Sequence, residues 1–231
     1  FHDHFASEPM RPETYHQDGQ IMDEVYVFGS FIQSKMYHKG IKCTDCHDPH
    51  SVKVKFDDNR LCTSCHQHPA KKYDTPAHHH HKPGSPGASC VECHMPETTY
   101  MAVDPRRDHS LRVPRPDLSL KLGTPNACVK CHLEDDIAPS ASLADGRKEA
   151  LHITQYIDWI RLAYDGEPDV KDELEKVNQW ADAAVQKWYP KSKHRGLHFG
   201  ETLHSAWSLD ENANEDIIDL FDDPDAPAIA K

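Results

Sequence analysis

The chain has 231 residues and a formal net charge of −12, and 37% of its residues are hydrophobic and 28% are charged. This length suits one domain or two small ones, and the mean hydropathy of −0.77 indicates too few apolar residues for a large conventional core. A pI near 5.8 argues against nucleic-acid binding, and no run approaches the roughly 18 apolar residues of a membrane helix, so an integral membrane protein is excluded.

The first 40 residues are predicted to form an N-terminal arm followed by a helix. The start of the chain lacks the basic residues and the apolar stretch of a signal peptide, so we expect a mature form or an excised piece. Residues 1–20 contain prolines and Gly19 but no apolar periodicity, which predicts an extended arm. Residues 21–38 carry apolar side chains at helical spacing and predict a single helix, which Gly40 should end.

Residues 41–134 are dense in Pro, Gly and His and contain a short motif four times. We expect a helical turn at each copy of the motif and irregular loops between the copies. Pro114, Pro116 and Pro125 precede the fourth copy and predict that the chain is extended there.

Residues 135–231 are predicted to form a helical C-terminal region. Apolar periodicity predicts helices over 140–164 and 169–189, and Pro190 should end the second. Trp180 and Trp188 belong to the apolar stripe of that helix, so we expect them in the core. The acidic last stretch is typical of a solvated face, with a docking surface as the alternative.

All eight cysteines lie in four copies of the pattern C-x-x-C-H, at 43–47, 62–66, 90–94 and 128–132. This pattern is the attachment signature of c-type haem, in which the adjacent His ligates the iron. Zinc ribbons do not require a His after every cysteine pair, and disulfide frameworks rarely place all cysteines in such pairs. The sequence therefore predicts four covalent c-type haems. The attaching residues are Cys43, Cys46, Cys62, Cys65, Cys90, Cys93, Cys128 and Cys131, and the proximal iron ligands are His47, His66, His94 and His132.

The spacing of the motifs predicts that the haems pack against one another. They leave roughly 22 residues per haem, too few for a separate fold around each. We therefore expect a mainly α fold with extensive irregular coil. It comprises the N-terminal arm and helix (1–40), a haem-packed tetrahaem core (41–134) and a helical tail (135–231).

A second His on each iron would make a low-spin electron carrier, whereas an open position would make a catalyst. His50 follows His47 by three residues, and the stiff Pro49 between them should direct it to a neighbouring haem. His109 follows the third motif at loop distance, and Asp108 is expected to orient its imidazole.

Further candidate ligands come from the N-terminal segment and from a run of four histidines at 78–81. One member of this run is expected to ligate iron, with His79 and His81 favoured. The distal candidates are therefore His4, His16, His50, His79, His81 and His109.

Several stretches of the chain resemble a known family. The segments YHQDGQI (15–21), GSF (29–31), QSKM (33–36) and CTDCHDPHS (43–51) are similar to the C-terminal haem region of multihaem c-type cytochromes with tetratricopeptide-like tails. The resemblance continues through 73–79, 90–96, 104–110 and 123–128, and the tail segments 188–189 and 198–201 are similar too. Such proteins are more distantly similar to cytochrome c554 and multihaem reductases. In this family, further haems precede the region and a helical repeat array follows it, so the resemblance implies a fragment or a naturally short version.

The leading functional expectation is a tetrahaem electron carrier with bis-His irons, exchanging electrons with other redox proteins or terminal acceptors. Covalent haem attachment occurs outside the cytoplasm, so we expect a periplasmic or extracellular location. As a variant, subunits could polymerise into a conducting filament, with a distal His of the N-terminal arm donated to the neighbouring subunit. The alternatives are a reductase or dehydrogenase of small nitrogen or sulfur compounds, and a docking module of a larger haem protein.

Overall fold

The computed structural model describes residues 9–23, 25–66, 72–100, 104–132, 168–192, 196–211, 213–223, 226–227 and 230. The described structure is mainly α-helical, as predicted, and none of its helices combines the length and apolar character needed to cross a membrane. The helices are α1 Val27–Phe31, α2 Lys35–His38, α3 Cys43–Cys46, α4 Arg60–Thr63, α5 Pro76–His79, α6 Cys90–His94, α7 Pro116–Leu122, α8 Val129–His132, α9 Pro168–Trp188, α10 Phe199–Trp207 and α11 Ala213–Asp222.

Two further elements flank the helix of the third haem motif. A 3-10 turn covers Pro86–Ala88 directly before α6. Strands β1 Glu97–Tyr100 and β2 Asp104–Arg107 form an antiparallel hairpin in which Glu97 pairs with Arg107. The hairpin returns the chain towards the third motif, since the backbone N–H of Asp108 donates to the carbonyl of Pro96 at 3.0 Å.

Each C-x-x-C-H motif lies on a helical turn, which confirms the expectation for this part of the chain. The four turns are α3, α4, α6 and α8. Residues three apart in a helix lie on the same face, so one turn brings the two cysteines of a motif to the same side.

The predicted single helix over residues 21–38 is wrong, because the chain forms the two short helices α1 and α2 instead. The break falls at Ser34, whose buried side chain accepts a hydrogen bond from the backbone N–H of Tyr37 at 3.0 Å. A serine in this position caps a new helix and competes with helix continuation. Gly40 follows α2 with a φ of 84°, as expected of a residue that ends a helix.

The described part of the predicted arm, residues 9–20, is folded rather than extended. Tyr15 is 1% exposed and forms an isolated β-bridge with Ile21. Gly19 makes the turn between them possible, with a φ of 86°. Tyr15 also explains why residue 29 is a glycine, because a Cβ atom at Gly29 would lie 2.4 Å from the tyrosine hydroxyl oxygen.

The extended segment predicted before the fourth motif contains helix α7. Pro116 is the first residue of α7. A proline suits this position because the N–H there makes no bond within the helix and the fixed φ of proline is helical. Gly123 ends the helix with a φ of 70°. The prediction that the prolines keep this segment extended is therefore wrong over Pro116–Leu122.

Helix α9 confirms the prediction over 169–189, whereas the helix predicted over 140–164 lies outside the described residues. The buried face of α9 consists of Leu174, Val177 and Ala181, and the helix packs against α7 and α8. Trp180 is 46% exposed, so the expectation that it belongs to the core is wrong.

A second apolar cluster joins the two ends of the chain. It contains Met10 and Tyr15 from the N-terminal segment together with Leu203 of α10 and Leu220 of α11. Helices α10 and α11 pack against each other beside it. The N-terminal segment is therefore held by the C-terminal helices.

Candidate haem-binding sites

Three of the four motif histidines lie close to a second histidine ring. The ring centres of His47 and His109 are 6.2 Å apart, with planes inclined by 23°. His94 and His78 are 6.1 Å apart and nearly parallel, at 5°. The third pair, His132 and His81, is 6.1 Å apart with an angle of 43°.

These distances fit an iron atom between the two rings of each pair. A ring nitrogen bonds a metal at about 2.0–2.1 Å and lies about 1.1 Å from its ring centre, so two imidazoles on one iron have centres about 6.3 Å apart. The residues present therefore suit axial ligation of haem by two histidines, the arrangement of a low-spin iron.

The hydrogen bonds of these rings leave the correct nitrogen free. Nδ1 of His47 donates to the carbonyl of Val52, and Nδ1 of His94 to that of Arg112, each at 2.8 Å. A carbonyl only accepts, so Nδ1 carries the proton and Nε2 keeps its lone pair for a metal.

The distal rings are held in the same way. His109 donates from Nδ1 to the carbonyl of Arg107 at 2.8 Å, and His81 donates from Nδ1 to the carbonyl of His79. Such backbone partners fix the orientation of a metal-ligating imidazole and raise its basicity.

Unusual backbone conformations occur at one of these backbone acceptors and next to two others. Val52, whose carbonyl accepts from His47, has a φ of 61°. Leu111, directly before the anchor Arg112, has a φ of 50°, and His80 between His79 and His81 has a φ of 58°. Left-handed conformations are costly for such side chains and concentrate at functional sites.

Burial favours the neutral form that an iron ligand requires. It lowers the pKa of His78, which the neighbouring His94 lowers further. It likewise lowers the pKa of His132, with a smaller contribution from His81. Neutral imidazole is the form that binds metal.

The remaining motif histidine, His66, has a different neighbour. The ring of Tyr73 meets it edge-on, with centres 6.0 Å apart and planes at 89°. Within the described ranges, no histidine ring forms a contact of this kind with His66.

The other predicted distal ligands do not lie opposite a motif histidine in the described structure. His50 is exposed, and its backbone N–H donates to Asp48 at 3.1 Å. His16 lies in the folded N-terminal segment, where burial lowers its pKa. His79 accepts a hydrogen bond from the backbone N–H of His81 at 3.1 Å. His4 lies outside the described residues.

His78 is the residue that the sequence interpretation missed, since only one ligand was expected from the run at 78–81. The structure places both His78 and His81 opposite motif histidines. Helix α5 ends at His79 and His80 has a φ of 58°, so helical spacing does not relate His78 to His81, and the sequence offers no local signal for this pair.

Asp108 orients the loop around His109 rather than the imidazole itself. Its carboxylate accepts from Ser30, Ser110 and Arg112, the last at 2.8 Å. Burial would raise the pKa of Asp108, but Arg112 and these hydrogen bonds outweigh it and hold the pKa below its usual value. Arg112 also reaches the buried Asp18 at 3.5 Å, so this network ties the His109 loop to the N-terminal segment.

The cysteines place consecutive motifs beside one another. Cys90 of the third motif lowers the pKa of the Cys62 thiol in the second motif to about 7, so these two side chains lie close together. Burial raises the pKa of Cys46, and the nearby Cys62 of the second motif raises it further. Burial and then the neighbouring Cys131 raise the pKa of Cys93 to about 11, which connects the third and fourth motifs.

Polar side chains reinforce this order. Asn59, before α4, accepts from the backbone N–H of Cys90 at 2.9 Å and donates to Asp74 and to the carbonyl of Ala88. Glu92 of the third motif lies 3.6 Å from Lys130 of the fourth. The motifs therefore follow one another in space as they do in the sequence.

Helix α9 contributes aromatic rings to the histidine pairs. Trp180 lies 4.5 Å from the ring centre of His132, and Trp188 stacks on His80 at 4.2 Å and 9°. The sequence assigned both tryptophans to a structural core, because apolar periodicity does not distinguish a core face from a cofactor face.

Two features of this site are typical of a multihaem c-type cytochrome. The cysteine pairs lie close together, and pairs of histidine rings are spaced so that one iron atom fits between them. Residues 49–133 match the family described as cytochrome c7 and related cytochrome c. The matched residues contain the second, third and fourth motifs. The similarity supports a multihaem c-type cytochrome with covalently attached haem, and hence an electron carrier. The chain has no significant match among curated proteins or solved structures.

Proposed function

We propose that this protein transfers electrons through four covalent c-type haems whose irons each take two histidine ligands. The haem supplies the one-electron couple between ferric and ferrous iron. The observation that carries the proposal is the spacing of three histidine pairs at 6.1–6.2 Å, with the ring planes and hydrogen bonds described above.

We propose one distal histidine for each of the three motifs that have a paired ring. His109 serves the first motif, His78 the third and His81 the fourth. Of the two residues favoured in the run 78–81, His81 is retained and His79 is replaced by His78. Nδ1 hydrogen bonds orient His47, His78, His81, His94 and His109 and leave Nε2 of these rings for the iron.

For the second motif we propose His50 as the distal ligand. The histidine of its own motif, His47, is already paired with His109. Cys62 of the second motif raises the pKa of Cys46 in the first, so the second motif lies beside the first. His50 follows an Asp48 turn at the surface, where its ring is free to face the haem of the second motif. His16 and His4 are the alternative donors for this position.

The test is low-temperature EPR of the oxidised holoprotein, with integrated spins compared with total haem. Four low-spin haems are expected. His109→Met, His78→Met, His81→Met and His50→Met should each convert one haem to His/Met ligation, whereas His38→Met should leave the spectrum unchanged. A substitution of a proposed ligand that alters no signal contradicts that assignment.

One observation favours an enzymatic alternative. Tyr73, rather than a histidine, borders His66 in the described structure. An open iron at the second motif would suit reduction or oxidation of a small nitrogen or sulfur compound. A stoichiometric high-spin signal that is shifted by nitrite or hydroxylamine would favour this alternative over the electron carrier.

The proposed setting is outside the cytoplasm, in the periplasm or at the cell surface, with other redox proteins or terminal acceptors as partners. Polymerisation into a filament is a further proposal. His16 lies in a folded segment, so a ligand donated in trans would have to come from another part of the chain. Electron microscopy after size-exclusion chromatography tests whether filaments form. Monodisperse monomers at high protein concentration would exclude polymerisation.

A further inference from the structure

The C-terminal end of α9 meets the histidine run at 78–81. Trp188 stacks on His80, and the following Tyr189 contacts both His78 and His80, with ring centres 5.9 Å apart in each case. These two aromatic residues come from a part of the sequence more than 100 positions away from the run.

The hydroxyl of Tyr189 makes two hydrogen bonds to His78. It donates to the carbonyl of His78, and its oxygen lies 3.2 Å from Nδ1 of the same residue. Because the hydroxyl proton is directed to the carbonyl, its oxygen accepts from Nδ1–H. His78 therefore presents Nε2 towards His94, the orientation of an iron ligand.

His78 differs in this respect from the other rings of the three pairs for which the structure gives an Nδ1 bond. His47, His81, His94 and His109 donate to backbone carbonyls, whereas the Nδ1 partner of His78 is a side chain. A hydroxyl can be removed by substitution, but a carbonyl cannot.

We propose that Tyr189 is a positioning residue that selects His78 as the ligand opposite His94 and lowers the reduction potential of that iron. The inference rests on the proposed bis-His ligation. His80 is not available as a ligand because its ring stacks on Trp188, at a residue where the backbone turns into a left-handed conformation after α5.

The effect on the potential follows from ligand basicity. A hydrogen bond accepted from Nδ1–H increases the electron density on the imidazole and favours ferric iron. Without the hydroxyl, the imidazole becomes a weaker donor, and the potential of this haem should rise relative to the other three.

The experiment compares wild-type holoprotein with Tyr189→Phe, which keeps the ring against His78 and His80 but removes the hydroxyl. Tyr26→Phe is the matched control, because Tyr26 is 85% exposed. Spectropotentiometric titration and low-temperature EPR are recorded for each protein. The signal that changes in His78→Met identifies the iron concerned.

The expected result is a more positive potential and a shifted low-spin EPR signal for that one haem in Tyr189→Phe, with the other haems and the control unchanged. Potentials and signals identical to wild type would overturn the inference, as would an equal shift of all four haems. If His78→Met altered no signal of the wild-type protein, the proposed ligation itself would be wrong, which is a distinguishable outcome.

Discussion

At the scale of single residues, Gly87 provides the room that His81 occupies. A Cβ atom at this position would lie 2.3 Å from Cδ2 and 2.6 Å from Nε2 of the imidazole. These distances are far below van der Waals contact, and Gly87 is held between Pro86 and Ala88 in the 3-10 turn. The absence of a side chain is therefore a condition for the position of this ring.

Gly87→Ala is expected to displace His81 and to perturb one haem of four. The steric conflict falls on the nitrogen proposed to bind iron, so the low-spin signal assigned to the fourth motif should be lost or shifted in the EPR spectrum. Gly196→Ala is the control, because a Cβ atom there meets nothing within 4 Å. An unchanged spectrum of Gly87→Ala would refute the position of His81.

His198 illustrates how a titratable residue can cap a helix. Its Nδ1 accepts from the backbone N–H of Gly200 at 3.1 Å at the start of α10, which requires the neutral ring. Burial, opposed by Asp18 and assisted by Arg115 and Arg112, lowers the pKa of His198 to about 4, and Glu201 also faces the ring. The folded state therefore resists protonation of this residue.

The pKa of His198 is about 6.5 in the unfolded state and about 4 in the folded state. Between these two pH values, His198 binds a proton in the unfolded state but not in the folded state. The free energy of unfolding should therefore decrease as the pH falls from about 6.5 to 4, by roughly 1–3 kcal/mol from this residue. His198→Asn retains a capping side chain and should flatten this part of the pH profile in denaturant titrations. An unaltered slope in the variant would show that other groups cause it.

At the scale of elements, the loop before α4 connects two haem motifs through Asn59. Its amide group bonds to Asp74, to the carbonyl of Ala88 and to the N–H of Cys90. The second and third motifs are thereby held at a constant separation, which is the quantity that electron transfer between their haems depends on.

Asn59→Ala is expected to destabilise the protein by about 1–3 kcal/mol, because it leaves partly buried backbone groups without their partner. Chemical denaturation measures the change. Gln179→Ala is a suitable comparison, because Gln179 is exposed on α9 and donates to Glu175 of the same helix at 3.0 Å. This variant should stay within about 0.5 kcal/mol of wild type. Equal stabilities for the two variants would contradict the proposed connection.

At the scale of the whole molecule, two regions hold the chain together. Helix α9 packs over α7 and α8 beside the histidine pairs, and α10 and α11 enclose Tyr15 and Met10 of the N-terminal segment. The charged network of Arg112 with Asp18 and Asp108 lies between the N-terminal segment and the His109 loop. The two ends of the sequence thus support the haem-binding middle.

Leu203→Ala should reduce the free energy of unfolding by about 2–4 kcal/mol, because Leu203 is 7% exposed in the cluster that joins both ends. Thermal or denaturant unfolding of the holoprotein measures the loss. Leu209→Ala, at a residue 88% exposed, is expected to be nearly neutral. A neutral Leu203→Ala would mean that the C-terminal helices do not stabilise the N-terminal segment.

The expectations based on local pattern agree best with the structure. The motif turns and helix α9 follow from cysteine spacing and apolar periodicity over a few residues, which the neighbouring chain determines. The single helix over 21–38 and the extended segment before the fourth motif were wrong for equally local reasons. Ser34 caps a second helix, and Pro116 starts one.

The sequence by itself determined the chemistry of this protein, because covalent haem attachment requires two cysteines and a histidine within five consecutive residues. Only the tertiary structure decided which histidine faces which motif. His109 lies 62 positions from His47, and His78 and His81 were indistinguishable from their neighbours in the run until α9 and Gly87 gave each a place. The pairing of axial histidines depends on contacts between distant segments, and these contacts cannot be predicted from the spacing of residues along the chain.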